Sequence, residues 1–275
     1  MTINCSMTIT EAFGIIPPMN DTSSKHFDFI HDDYDFFQRH STEAESDIHA
    51  YAPHILQMVK RVNGPIRMLD FGCGDGKATA RLFSKVHLPP SRLQLFLVEP
   101  DAVYLKNAQE RLSLFTENPI KAWGELPNDL SDHFEIIIAN NVLYYVMDLK
   151  ETLSSLIAAL ASPGIFISSE AGKDNALVRY TFPLFEIAGK PYPFYLADDC
   201  IKTLRDLGKS FEVEEVFFDL TFPDSEENRL SMARFLMGQD YTNIPRKDLL
   251  QGFDQFFDKG NIDIRTTNKH ILLKF

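Results

Sequence analysis

Cysteine is scarce in this sequence and unpaired. Cys5, Cys73 and Cys200 are the only three, and none forms a C-x-x-C motif. A disulfide framework and a zinc knuckle are both excluded by that spacing. Tryptophan occurs once, as Trp123. Positive charge is in deficit: 27 Lys and Arg stand against 39 Asp and Glu, for a net charge of −12. With no cationic cluster denser than Lys60-Arg61, a phosphate backbone would be repelled, so nucleic acid is not expected as a partner. No apolar run reaches the ~20 residues that a membrane-spanning helix needs. The best candidate, Leu156 to Ile167, is broken by Pro163-Gly164. Met1 to Asn20 lacks a basic start followed by an apolar stretch, so no secretory signal is read there. His26 and His31, like His49 and His54, are five apart and form no H-E-x-x-H pair, so no metal site is expected. These absences describe a reduced, cytoplasmic protein without membrane contact.

What is present is a chain of 275 residues with 44% apolar side chains, enough for one large domain or one and a half. Residues 1–25 are polar and read as a flexible leader. From Phe27 to Val62 the pattern is helical: Phe29, Ile30, Phe36 and Phe37 share a face, then Ile48, Tyr51, Ile55 and Val59 follow at spacings of three and four. Pro53 begins or kinks the second helix, and Asn63-Gly64-Pro65 ends it.

Strands and helices alternate from there. Strands are expected at Ile66–Phe71, Leu93–Val98, Ile120–Trp123, Phe134–Ala139 and Ile165–Ser168. Helices are expected at Ala78–Val86, Ala102–Phe115 and Leu149–Leu160. Near-continuous apolar strands in such alternation form a parallel sheet covered on both faces. The last third departs from the pattern, with a helix at Asp198–Leu207, a strand at Phe211–Leu220, helices at Glu226–Met237 and Arg246–Phe257, and an apolar strand at His270–Phe275. Between Tyr180 and Tyr195, six aromatics stand beside Pro183, Pro191 and Pro193, which suits either a substrate lid or a loop packed by its own rings.

The sharpest local signal is Asp70-Phe71-Gly72-Cys73-Gly74-Asp75-Gly76 at a strand end. Gly72, Gly74 and Gly76 allow a tight turn and a close approach to a ligand. The G-x-G-x-G spacing is not the dinucleotide G-x-G-x-x-G, and Lys77-Ala78 lacks the hydroxyl of a P-loop. Twenty-three residues after Gly76, Glu99 closes the second strand in Val98-Glu99-Pro100. A carboxylate there can accept both hydroxyls of a ribose beyond the carboxyl ends of the strands. Asp70 either approaches a ligand ammonium or caps the loop, and Trp123 either borders an adenine or packs in the core. The fourth strand exits through Asn140-Asn141-Val142-Leu143-Tyr144-Tyr145, which lines a small polar pocket or packs its rings under a helix.

Loop and carboxylate together resemble class I S-adenosylmethionine-dependent methyltransferases. The resemblance implies a Rossmann-like α/β fold with a mostly parallel seven-stranded sheet and helices on both faces. It implies S-adenosylmethionine as cofactor and S-adenosylhomocysteine as product, held by Asp70, Gly72, Gly74, Gly76, Glu99, Pro100, Trp123 and Asn140.

A narrower similarity is to the histamine N-methyltransferase family. It rests on Tyr34 and Phe37 ahead of His40-Ser41-Thr42-Glu43, then on Val98-Glu99-Pro100, Ala122-Trp123 and Leu143-Tyr144-Tyr145-Val146 with Asp148. It implies that Glu43 contacts an amine substrate, that Asn141 stands where the family has glutamine, and that Asn268 matches a substrate-contacting asparagine before the last strand. Tyr34, Phe37, Tyr144 and Tyr145 complete the implied pocket. The family's tryptophans after the fifth strand have no counterpart in Gly172 to Tyr180.

The expected organisation is a leader at 1–25 and a methyltransferase domain at 26–275, with an N-terminal helical cap at 26–63 and a helical insert at 221–266. The expected activity is N-methylation of a small amine or imidazole by a monomer, with Glu43 and Asn141 positioning the substrate. The alternatives are an O- or carboxyl-methyltransferase and a non-catalytic cofactor-binding module.

Overall fold

Apolar side chains on successive strand positions point to opposite faces, and both faces of the central sheet are buried. The computed structural model describes residues 31–127, 130 and 133–275. The segment read from the sequence as a leader, 1–25, and the first residues of the expected cap therefore lie outside the described residues. Strands β1 (Ile66–Phe71), β2 (Leu93–Val98), β3 (Lys121–Trp123), β4 (Phe134–Asn140) and β5 (Leu160–Ala171) run parallel. The sheet continues through the antiparallel strands β6 (Glu212–Pro223) and β8 (Asn261–Lys274), in the order β3-β2-β1-β4-β5-β8-β6, and the two-residue β7 (Phe257–Asp258) pairs with β8. This is the Rossmann-like α/β fold expected from the sequence.

Met68, Leu95, Ile136 and Ile167 face one layer, made by α2 (Glu43–Val59), α3 (Lys77–Val86) and α4 (Ala102–Leu112). Leu69, Phe96, Ile137 and Phe166 face the other, under α5 (Leu149–Ala158) and α7 (Ala197–Asp206). Each such fully buried side chain contributes about 1.5–3 kcal/mol of transfer free energy. A third cluster joins α1 (His31–His40), α6 (Ala176–Ile187), α8 (Glu226–Met237) and α9 (Arg246–Gln251) to the far ends of β6 and β8. Asp33 of α1 accepts hydrogen bonds from the Arg234 guanidinium at 2.8 and 2.9 Å and from Ser231 at 2.6 Å. The N-terminal cap and the insert before β8 are thereby docked on each other.

Several elements differ from expectation. Helix α2 does not begin at Pro53 but carries it inside, from Glu43 to Val59; Tyr51, Ala52, Ile55 and Met58 are all buried, and that burial offsets one missing backbone bond. The aromatic stretch after Gly172 is a helix, α6, as far as Ile187, and Pro183 lies within it. Strand β5 crosses Pro163-Gly164 and starts at Leu160, where the pairing with β4 shifts register, so α5 stops earlier than expected. Helix α9 ends at Gln251. Strands β6 and β8 reach Pro223 and back to Asn261, so they take up both ends of the stretch read as the insert at 221–266.

Candidate functional site

In an open α/β sheet, a crevice opens where the strand order reverses. Here β1 has β2 on one side and β4 on the other. A cavity of about 510 Å³ lies at the carboxyl ends of these strands and extends under α1 and the insert.

One end is built by β1, β2 and the loops that leave them. Gly72, at φ 75°, has no room for a side chain, since a Cβ would lie 2.2 Å from Val142 Cγ2. A Cβ on Gly74 (φ 54°) would meet nothing within 4 Å, so this backbone borders open space. That is a cradle into which a ligand can come close to the main chain. Gly76 does not line the cavity; a Cβ there would press on Ala108 of α4 at 3.0 Å, so its bareness serves helix packing. Glu99 lines the cavity with its carboxylate accepting from Gly74 N–H and Asp101 N–H, each at 3.0 Å. Burial raises its pKa, and the two backbone bonds oppose that rise. Asp70 also lines the cavity, but its Oδ2 accepts from the Thr79 hydroxyl at 2.5 Å. Burial lifts its pKa to about 6.

Neither Pro100 nor Trp123 lines the cavity. Pro100 follows Glu99 at the bend into α4. The half-buried Trp123 ring stacks on Phe96 at the edge of the core at 6.0 Å, while its carbonyl accepts the Glu99 N–H at 3.0 Å. Its connection to the site is through the backbone.

The other end is assembled from distant segments. Tyr34 and Phe37 come from α1, Glu43 from α2, Asn140, Asn141, Tyr144 and Tyr145 from the exit of β4, and Asn268 from β8, and all line the cavity. Asn141 holds a left-handed φ of 52°, a strained state for a residue with a side chain. Its Nδ2 donates to Asp47 at 3.4 Å, and its Oδ1 accepts from the Tyr144 hydroxyl at 3.3 Å. The Tyr51 hydroxyl donates to Asn140 Oδ1. Asn268 Nδ2 donates to Glu43 Oε1 at 2.8 Å. Burial, then the nearby Asp47, raise the Glu43 pKa to about 8, and the bond from Asn268 pulls it down. Burial also raises the pKa of Tyr34, Tyr144 and Tyr145.

Sequence reasoning missed several residues at this end, some lining the cavity and one, His270, buried behind it. Asp47 lies one helical turn after Glu43, a spacing that puts both carboxylates on one face. Buried His270, which meets Asp47 through Nε2 at 2.7 Å, follows Asn268 by two positions in β8, on the same strand face. Phe235, stacked on Phe37 at 4.6 Å, comes from α8 and had no sequence signal. Tyr192 and Phe194, read as part of a lid or a loop, also reach the cavity.

The lysine and arginine that line the cavity, Lys77 and Arg81, both belong to α3. Lys77 pairs with Asp75 at 2.9 Å. The end around Glu43 is acidic and aromatic. Among the described residues no cluster of His, Cys, Asp or Glu is arranged to hold a metal ion, and no helix is long and apolar enough to cross a membrane.

The sequence pattern of a family described as "Methyltransferase domain" matches residues 40–209. Uncharacterised methyltransferases of Mycobacterium bovis and Mycobacterium tuberculosis are 34% identical over 104 residues, covering 35% of this chain and 46% of each relative. The chain thus spans about half the length of the curated relatives it matches. Among solved structures, a methyltransferase-like protein from Bacillus halodurans superposes with a TM-score of 0.53 at 14% identity, over 80% of this chain and 97% of that one. The plantazolicin methyltransferase, bound to SAH, superposes with a TM-score of 0.50 at 12% identity, over 88% of each chain. At those identities the likeness is one of fold alone.

Proposed function

This chain belongs to the methyltransferase-domain family, and from that premise we propose that it transfers the methyl group of S-adenosylmethionine to a small amine or imidazole. The cofactor supplies an electrophilic methyl group on a sulfonium. The cradle bordered by Gly72 and Gly74 would take its amino-acid portion, with Asp70 nearby, and Glu99 would accept the ribose hydroxyls. Glu99 already faces the cavity, and a ribose can compete for its lone pairs.

The observation that carries the acceptor assignment is the carboxylate of Glu43 at the aromatic end of the cavity, bonded to Asn268 at 2.8 Å. Such an end favours an N–H-bearing or cationic group, gripped by the carboxylate and faced by the rings of Tyr34, Phe37, Tyr144 and Tyr145. Methyl transfer is an in-line displacement, so positioning a lone pair against the methyl supplies much of the rate. A neutral imidazole can present one ring nitrogen to the methyl and give the N–H of the other to Glu43. An alkylammonium must first lose a proton, and an ionised Glu43 beside it opposes that loss. The similarity to histamine N-methyltransferases points the same way. In this reading residues 26–275 act as one catalytic unit, a cytoplasmic monomer, with cap 26–63 and insert 221–266 closing the acceptor end.

The test is S-adenosylhomocysteine release by the purified protein, offered histamine, other imidazoles, aliphatic amines, phenols and carboxylic acids. Turnover confined to amines or imidazoles is expected. Turnover on phenols or carboxylic acids alone would replace the acceptor class, and cofactor binding without any turnover would leave a binding module.

A further inference from the structure

Asn175 caps the first turn of α6 and lines the cavity beside Asn268. Its amide is held at both ends by main chain: Oδ1 accepts the Leu177 N–H at 2.8 Å, and Nδ2 donates to the Thr267 carbonyl at 2.8 Å. A backbone N–H can only donate and a carbonyl can only accept, so this amide cannot reverse without losing both bonds. The same Nδ2 also donates to Asn268 Oδ1 at 3.2 Å. That fixes the second amide in turn, leaving Asn268 Nδ2 to face Glu43 Oε1 at 2.8 Å and Asn141 Oδ1 at 3.5 Å. Asn175 and Asn268 are each only 1% exposed, so bulk water cannot stand in for either partner. A reversed Asn268 would set its amide oxygen against Glu43, two acceptors facing each other whenever that carboxyl is ionised.

We propose that Asn175 is a positioning residue for the methyl acceptor: through Asn268 it holds Glu43 with one carboxylate oxygen bound and the other turned to the acceptor. This rests on the reading of Glu43 as the group that grips the acceptor. The direction of the relay is set by the backbone of α6 and β8, elements that meet only in the folded chain. The groups around the Glu43 carboxyl are Asp47 and Tyr51 from its own helix, Tyr34 from α1, and Tyr144 and Tyr145 from the exit of β4. Among them Asp47 pushes the Glu43 pKa up, while the donated bond from Asn268 pulls it down. Losing the relay therefore makes Glu43 hold its proton more tightly and grip a cation less well.

The variant that tests this is Asn175→Ser, which keeps a capping oxygen for α6 and deletes Nδ2. The first measurement needs no acceptor: the Glu43 carboxyl is titrated by carbon-13 NMR in the cofactor-free full chain, its signal identified by its loss in Glu43→Gln. The expected result is a midpoint about one unit higher than in the parent protein. The second is steady-state kinetics with histamine, where KM should rise about tenfold while the Kd for S-adenosylhomocysteine holds. In a Glu43→Gln background the same substitution should change KM by less than about twofold, since its effect passes through Glu43. If Asn175→Ser does not fold, Asn175→Thr keeps a capping oxygen, adds no charge and still lacks Nδ2, and it too must raise the midpoint. An unmoved midpoint in the folded variant overturns the proposal, even if amines are turned over. A raised midpoint with no turnover of any amine or imidazole leaves the relay standing and removes the acceptor assignment instead.

Discussion

The two ends of the cavity are made in different ways. At the cofactor end, the decisive hydrogen bonds join residues close in the chain: Thr79 to Asp70 across nine positions, and Gly74 to Glu99 across 25. At the acceptor end they join residues far apart: Asn268 to Glu43 across 225 positions, His270 to Asp47 across 223, and Arg234 to Asp33 across 201. The first end is two successive strand-loop-helix units, so its geometry follows from their local turns. The second exists only when cap, insert and last strand are docked together. Substitutions at the first end should strike cofactor binding, and those at the second should change which acceptor is held.

The largest effect expected from that contrast is at Gly72. In Gly72→Ala the new Cβ would overlap Val142 at a φ of 75°, which combines overpacking with a left-handed backbone, about 3 kcal/mol or more. Calorimetry should find affinity for S-adenosylhomocysteine reduced a hundredfold or more, with a lowered Tm; a mild effect would show the loop to be free to move.

Glu99→Ala removes the acceptor of two backbone N–H bonds as well as the proposed ribose contact. Cofactor Kd should rise at least about tenfold while KM for the acceptor holds. An unchanged Kd would take Glu99 out of the site.

Glu43→Gln should do the reverse, raising KM for a cationic or imidazole acceptor roughly five- to tenfold and sparing cofactor Kd. It also carries a pH signature in the empty protein. Because the folded-state pKa of Glu43 is raised from 4.5 to about 8, the stability it contributes is full below pH 4.5. That contribution is lost as pH rises through about 8. Glutamine cannot ionise, so the variant's Tm should match the parent's near pH 4.5 and exceed it by a few degrees near pH 8.5. Parallel Tm curves would show that Glu43 ionises freely.

The smallest effect is expected at Trp123. Its ring packs on Phe96 and its contribution to Glu99 is a main-chain carbonyl, so Trp123→Phe should change cofactor Kd by less than about twofold. A larger loss would return the indole to the ligand.

The sheet and the cofactor loop were legible because their signals are local. Ile66–Phe71 and Leu93–Val98 are the observed β1 and β2 to the residue, since short apolar runs bounded by turn residues leave little choice of register. Asn141, Tyr144 and Tyr145 are legible as polar and aromatic residues at a strand exit, whereas Tyr34, Phe37, Glu43 and Asn268 rest on family likeness; the cavity gathers all seven. Helix α6 was missed because Pro183 and its neighbouring prolines argue locally for a loop. The burial of Leu177, Tyr180, Leu184 and Phe185 against the insert outweighs that propensity.

The alternation of apolar strands and helices, the glycine turn after β1 and the carboxylate after β2 are properties of contiguous chain and can be read along it without the fold. Only the folded chain shows that Gly76 serves helix packing, that the Trp123 ring packs on Phe96, and that Asp47 and Asn175 join the acceptor residues at the cavity wall with His270 behind Asp47. The reason is physical. A hydrogen-bonded amide or a buried carboxylate acquires direction and pKa from whatever packs against it, and here those partners arrive from the opposite end of the chain.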